Sequence, residues 1–139
     1  MPAKLVSEVI ENGRNFSLGM RQCVCIARAV LSKSKILVLD EATAAIDSKT
    51  DAMLQETIKN SFANLTVLTI AHRLNTIIES DRVLVLDAGK ILEFDEPYKL
   101  LNTEGSSFKS LLEQTGPDEY KMLYGQAEKA SKERAQKRK

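Results

Sequence analysis

The chain has 139 residues, 43% hydrophobic and 28% charged, with no tryptophan and a net charge of only +1. That balance fits one soluble domain or a large piece of one and excludes a chain disordered overall. No apolar stretch approaches the roughly 20 residues that span a bilayer, and Met1-Pro2-Ala3-Lys4 does not open an apolar signal segment, so the stretch is expected in the cytosol.

The first fifteen residues read as loop. From Cys23 the positions Cys23, Val24, Ala27, Val30 and Leu31 recur at helical spacing, with Arg21, Arg28 and Ser32 off that stripe, which predicts a helix with one buried face. An apolar strand over 36–39 follows. Ser48-x-x-Asp51 resembles a capping box, and Leu54, Ile58 and Phe62 lie four apart on the helix it opens. Next come a strand from Thr66 to Ala71, a short helix around Leu74, Ile77 and Ile78, and a strand from Arg82 to Leu86. Asp87-Ala88-Gly89-Lys90 reads as a turn that returns Ile91 to Phe94 as a hairpin partner. Pro97 opens a helix through Tyr98, Leu100 and Leu101, and Phe108, Leu111 and Leu112 make another. Strands alternating with helices predict an α/β fold with a mostly parallel sheet flanked by helices. A domain over 1–115 and a charged, basic tail over 116–139, helical or disordered, complete the expected organisation. Six basic side chains among residues 128–139, against Glu128 and Glu133, leave +4 on that end. Such a run reads first as a solvated, frayed helix end, with contact to anionic lipid or nucleic acid as the lesser reading.

The most informative stretch is Ile36-Leu37-Val38-Leu39-Asp40-Glu41, in which an unbroken apolar run delivers two adjacent carboxylates to the end of a strand. Parallel strands covered on both faces read this way, and open α/β sheets bind ligands beyond the carboxyl ends of such strands. Two carboxylates at the edge of an apolar core call for a cation, and hydrated magnesium is the usual one where phosphates are handled. Asn15-Phe16-Ser17-Leu18-Gly19-Met20-Arg21-Gln22 stands where the first helix begins. A helix start attracts phosphate through its free N–H groups and dipole; Ser17 can cap the helix or hydrogen-bond an anion, and Gly19 keeps no side chain between backbone and phosphate. His72, the single histidine, ends the apolar strand Thr66–Ala71. Alone it reads as a structural residue, but beside two carboxylates an imidazole can bond a γ-phosphate or the attacking water.

Cys23 and Cys25 are two apart, with no second pair to complete a metal site, so a structural role is favoured over a redox or zinc role. Asn15-Phe16-Ser17 and Asn64-Leu65-Thr66 match the glycosylation pattern but read as accidents without a secretion signal.

Taken in order, these segments resemble the later half of an ATP-binding cassette (ABC) domain of an ABC transporter, over about residues 4–115. Phe16-Ser17-Leu18-Gly19-Met20 takes the place of the signature Leu-Ser-Gly-Gly-Gln, Ile36 to Asp40 is similar to Walker B, and Ala44-Ala45-Ile46-Asp47 resembles the D-loop. The wording around Ser17, Asp40-Glu41 and His72-Arg73 is similar to the C subfamily, the multidrug-resistance-associated exporters, and to the second cassette of its type 4 branch in particular. The resemblance implies a partial P-loop NTPase fold lacking the Walker A strand and helix. It implies Asp40 on Mg2+ through water, Glu41 as the residue that activates the hydrolytic water and His72 on the γ-phosphate of ATP. It also implies Ser17, Leu18, Gly19, Met20 and Gln22 near ATP bound to the opposite domain, and Asp47 coupling the two sites.

The implied partners are an opposite nucleotide-binding domain and the transmembrane domains of the same transporter, with no nucleic acid. The implied place is the cytoplasmic face of a membrane, the plasma membrane first, or the cytosol if the short chain exists alone. No Gly-x-x-x-x-Gly-Lys-Ser/Thr loop occurs in the 139 residues, so the chain is expected to be part of an ATPase of a larger protein, inactive by itself and prone to aggregate. Met20 stands where the signature has Gln and removes a polar side chain near the trans nucleotide. Two other readings stay open: a non-catalytic fragment that binds a partner cassette, and a piece of a soluble ABC ATPase that transports nothing.

Overall fold

The computed structural model describes residues 7–32, 34–40, 48–71 and 73–137. They fall into two packing units, Met1–Ile70 and Ala71–Lys139.

In the first unit a turn of 3-10 helix, Glu11–Gly13, leads to helix α1, Leu18–Leu31. Strand β1, Ile36–Asp40, helix α2, Ser48–Ser61, and strand β2, Thr66–Ile70, follow. β1 and β2 pair in parallel, Ile36 opposite Thr66 through Asp40 opposite Ile70. Parallel neighbours need a crossover, and α2 supplies it. Ile26 of α1, Ile58 of α2 and Phe62 form the buried core, against Leu37, Leu39 and Leu65.

Two sequence expectations are corrected here. The strand read as covered on both faces is covered on one: Leu37 and Leu39 meet the core, while Ile36 and Val38, 64% and 58% exposed, and their neighbours Leu68 and Ile70 are bare. Alternate side chains of a strand point to opposite faces, so a core on one face can cover only half of an apolar run. α1 also turns differently. Ile26 is its buried residue, with Ala29 packed beside it, whereas Val24, Val30 and Leu31 are exposed. The helix carries apolar residues around most of its circumference, so periodicity alone does not single out one face.

The second unit holds helix α3, Leu74–Ile77, strands β3, Val83–Asp87, and β4, Lys90–Asp95, and helices α4, Pro97–Leu101, α5, Ser107–Glu113, and α6, Pro117–Lys137. β3 and β4 are antiparallel, joined through Ala88 and Gly89 at φ 45° and 74°. Positive φ at both central residues matches the right-handed twist of the flanking strands, and Gly89 adopts it without steric cost. Among the described residues the strands therefore pair two by two, one pair parallel and one antiparallel.

Ile78, Val83, Leu100, Leu101, Phe108, Leu112, Leu123 and Ala127 form the core of this unit. Leu123 and Ala127 belong to α6, so the boundary expected at residue 115 separates no packing unit: the helix that follows it closes the core. Further along, Arg134 is only 17% exposed and donates from Nη2 and Nε to Glu96 Oε1 at 2.7 and 3.1 Å. The predicted frayed end is thus a docked helix as far as Arg134. The cause is an amphipathic pattern that the high charge of the segment concealed.

A carboxylate from the hairpin organises α5. Glu93 on β4 accepts from the backbone N–H of Ser107 at 2.7 Å and of Phe108 at 2.9 Å, and from the Ser106 hydroxyl at 3.3 Å. Ser106 Oγ in turn accepts from the Lys109 N–H at 3.1 Å. These first-turn donors have no partner within the helix, and a negative charge there is favoured by the helix dipole. Replacing Glu93 with Ala removes a charge-assisted acceptor beside half-buried amides and should lower stability by about 1–3 kcal/mol. A urea-unfolding midpoint equal to that of the unmodified chain contradicts the assignment.

Candidate functional site

The start of α1 is built from the loop before it. Asn15 Nδ2 donates to Glu8 O at 2.7 Å and its Oδ1 accepts from Ile10 N at 3.4 Å, which ties residues 8–15 together. Gly13 sits at φ 61°, a conformation that favours glycine, and a Cβ there would lie 3.3 Å from Arg21 Cδ, so that the Arg21 stem would have to shift slightly. The segment is more ordered than a plain loop, and the Asn12-Gly13 pair is the sign in the sequence of its defined turn.

Ser17 follows as the N-cap, its Oγ accepting from Met20 N at 3.2 Å and its carbonyl accepting from Arg21 N at 3.0 Å. A hydroxyl that accepts still has its own proton to donate, and helix geometry leaves the N–H groups of Leu18 and Gly19 without intrahelical acceptors. Ser17, Leu18 and Met20 are exposed and Gly19 half-buried, so this end of the helix presents donors to solvent with two apolar side chains around them. Gln22 is half-buried and stands four residues before Ile26, on the packed side of α1 rather than with Met20.

Asp40 is the last residue of β1 and is exposed. Because β1 and β2 are parallel and Asp40 registers with Ile70, the chain leaves both strands at the same end of the pair. Glu41 follows Asp40 directly, and His72 comes two residues after Ile70. Glu41, Asp47 and His72 themselves lie outside the described residues. Among the described residues no group of three or more His, Cys, Asp or Glu side chains could hold a metal ion. Cys23 is half-buried and Cys25 exposed, both as free thiols. No helix among the described residues is long and apolar enough to cross a membrane.

A strand ending in a carboxylate, a parallel partner whose C-terminal end lies beside it and a serine-capped helix ahead of both define a piece of an ABC cassette. The family model for the ABC transporter matches residues 3–44. A bacterial Atm1-family ABC exporter with ATP bound has the same fold over 84% of this chain and 20% of its own, at a TM-score of 0.75 and 35% identity. Within that class the sequence is similar to proteins of the C subfamily. It is 53% identical over 119 residues to human ATP-binding cassette sub-family C member 4, covering 86% of this chain and 9% of the relative. It is 58% identical over 113 residues to ABC transporter C family member 12 of Dictyostelium discoideum, covering 81% and 8%. The metal resistance protein YCF1 of Saccharomyces cerevisiae is 56% identical over 112 residues, covering 81% and 7%. The chain thus spans under a tenth of the length of these relatives.

Removing the Ser17 hydroxyl should cost α1 its cap. Ser17→Ala is expected to destabilise the first unit by about 0.5–2 kcal/mol. Faster amide exchange at Met20 and Arg21 checks this, and unchanged exchange there contradicts it.

Proposed function

We propose that the chain is part of the ATP-hydrolysing engine of a C-subfamily exporter that moves organic anions or xenobiotics across a membrane. The observation that carries this reading is that β1 ends on Asp40 in parallel register with the end of β2, behind a helix capped by Ser17. Support also comes from 51–58% identity to C-subfamily proteins over most of the chain.

In this reading the residues divide between two nucleotides. Asp40 holds Mg2+ through water, Glu41 takes the proton of the attacking water and His72 bonds the γ-phosphate. Magnesium, when bound, neutralises charge on the phosphates. An exposed carboxylate at a strand end fits such a water-mediated contact, which needs no cluster of protein ligands. Ser17 and Gly19 serve the nucleotide of the opposite domain: the Ser17 hydroxyl donates its free proton, and the first-turn amides add the positive end of the helix dipole. Met20 and Leu18 flank that contact, and Asp47 couples the two sites. Closure of two cassettes on ATP and reopening after hydrolysis transmit the cycle to the transmembrane domains.

The partners are then a second nucleotide-binding domain and the membrane domains of the same protein, and the working place is the cytoplasmic face of a membrane. By itself the chain offers no glycine-rich cradle and lysine for the β and γ phosphates, so hydrolysis belongs to the assembled protein.

Two substitutions in a complete transporter carrying this segment test the roles. Glu41→Gln keeps the shape and removes the base, so ATP binding should persist while turnover falls by roughly 10²–10⁴-fold; turnover at the unmodified rate rejects Glu41 as the base. Met20→Gln restores a polar side chain beside the trans nucleotide and should raise ATPase activity, whereas an equal or lower rate shows that Met20 does not limit closure.

A further inference from the structure

α6 is attached in two different ways along its length. As far as Ala127 it is held by burial, with Leu123 and Ala127 wholly enclosed. Beyond Ala127 no described residue of the helix is fully buried, and Ser131 and Arg134, three residues apart, meet the corner where β4 runs into α4. Arg134 grips Glu96 there, and its Nη1 donates to the Glu79 carbonyl at 3.0 Å and lies 4.0 Å from Asp81. Ser131 lines the same cleft as Glu96 and Arg134, so its hydroxyl stands beside the Glu96 carboxylate. Burial raises the pKa of Glu96, but the hydrogen bonds from Arg134, its charge and the Ser131 hydroxyl outweigh it, so the group is held below its ordinary value and stays ionised at neutral pH. Ser131 borders a cleft of about 120 Å³ that Arg82, Lys99 and Asp95 also line. The remaining ion pairs of this stretch, Lys132 with Glu128 and Lys129 with Glu133, lie within the helix and tie it to nothing else.

We propose that Ser131 is a phosphorylation site for a serine kinase that selects basic flanks, and that the phosphate releases the last turns of α6. Lys129, Lys132 and Arg134 supply those flanks, outnumbering Glu128 and Glu133 among them, and half-buried Ser131 lines the cleft. In the step, Ser131 Oγ attacks the γ-phosphorus of ATP, the bond from that phosphorus to the bridging oxygen breaks, ADP leaves, and the hydroxyl proton passes to the base of the kinase. The product carries a charge near −2 where a neutral hydroxyl had stood beside Glu96.

Three consequences point the same way. The phosphate cannot donate to Glu96 and repels it. It stands one turn before Arg134 on one helix, the spacing at which opposite charges pair, so the guanidinium can leave Glu96 for a stronger acceptor on its own helix. A dianion near a helix C-terminus opposes the dipole and frays the end. Since burial holds α6 only to Ala127, the turns beyond lose their tether while the core stays intact.

The test uses the full chain, ATP with Mg2+ and a basic-directed serine kinase, with the phosphate located by tandem mass spectrometry and amide exchange of α6 read before and after. The expected result is one phosphoryl group on Ser131 and loss of exchange protection over residues 128–137, with residues 117–126 unchanged. Glu96→Gln, which weakens the same tether without phosphate, should reproduce part of that loss, and Ser131→Ala should keep the protection of the unmodified chain. Failure to phosphorylate Ser131, in the chain or in a peptide of residues 126–137, overturns the site. Phosphorylation that leaves protection over residues 128–137 unchanged overturns the release.

Discussion

Parallel pairing of β1 with β2 is the constraint from which the first unit follows. Two parallel strands cannot be joined by a tight turn, so the chain must cross over, and α2 makes that crossing while contributing Ile58 to the core. The same direction of travel makes both strands discharge at one end, with Asp40 beside Ile70. An antiparallel pair would have sent the chain out of the two strands at opposite ends. The pairing also leaves a bare apolar face, because the helices of this unit cover Leu37 and Leu39 but not Ile36, Val38, Leu68 and Ile70.

The second unit rests on local devices instead. A tight hairpin sets β4, and Glu93 on that strand reaches the first turn of α5, so one carboxylate fixes how the hairpin meets the helices. α6 then closes the core with Leu123 and Ala127 and fastens its far end through Arg134. The result is a unit whose apolar centre is complete and whose periphery is held by a few charged contacts. Such contacts respond to charge-changing modification far more than buried leucines do.

Much of this was legible in the sequence for physical reasons. The apolar run before Asp40, the Asp-Ala-Gly-Lys turn and Pro97 at a helix start each specify backbone geometry within a few residues, and each element stands where it was expected. Ser17 was readable as a cap because a hydroxyl one residue before a helix has that use. The buried face of α1 was not readable, since Val24, Ile26, Val30 and Leu31 offer several faces and only the position of the sheet selects Ile26. Glu93 as a cap and Arg134 as an anchor were invisible because their partners lie 14 and 38 residues away. Of the candidate site, Ser17, Gly19 and Asp40 can be followed into the structure. Glu41, Asp47 and His72 lie outside the described residues and rest on the sequence.

The measurement that bears most directly on the account is ATP hydrolysis by a complete C-subfamily transporter whose own segment has been replaced by residues 7–137 of this chain. If Asp40, Glu41 and His72 form one half-site and Ser17 serves the opposite one, the chimera hydrolyses ATP at a rate comparable to its parent. A chimera that folds, reaches the membrane and binds ATP without hydrolysing it contradicts the account.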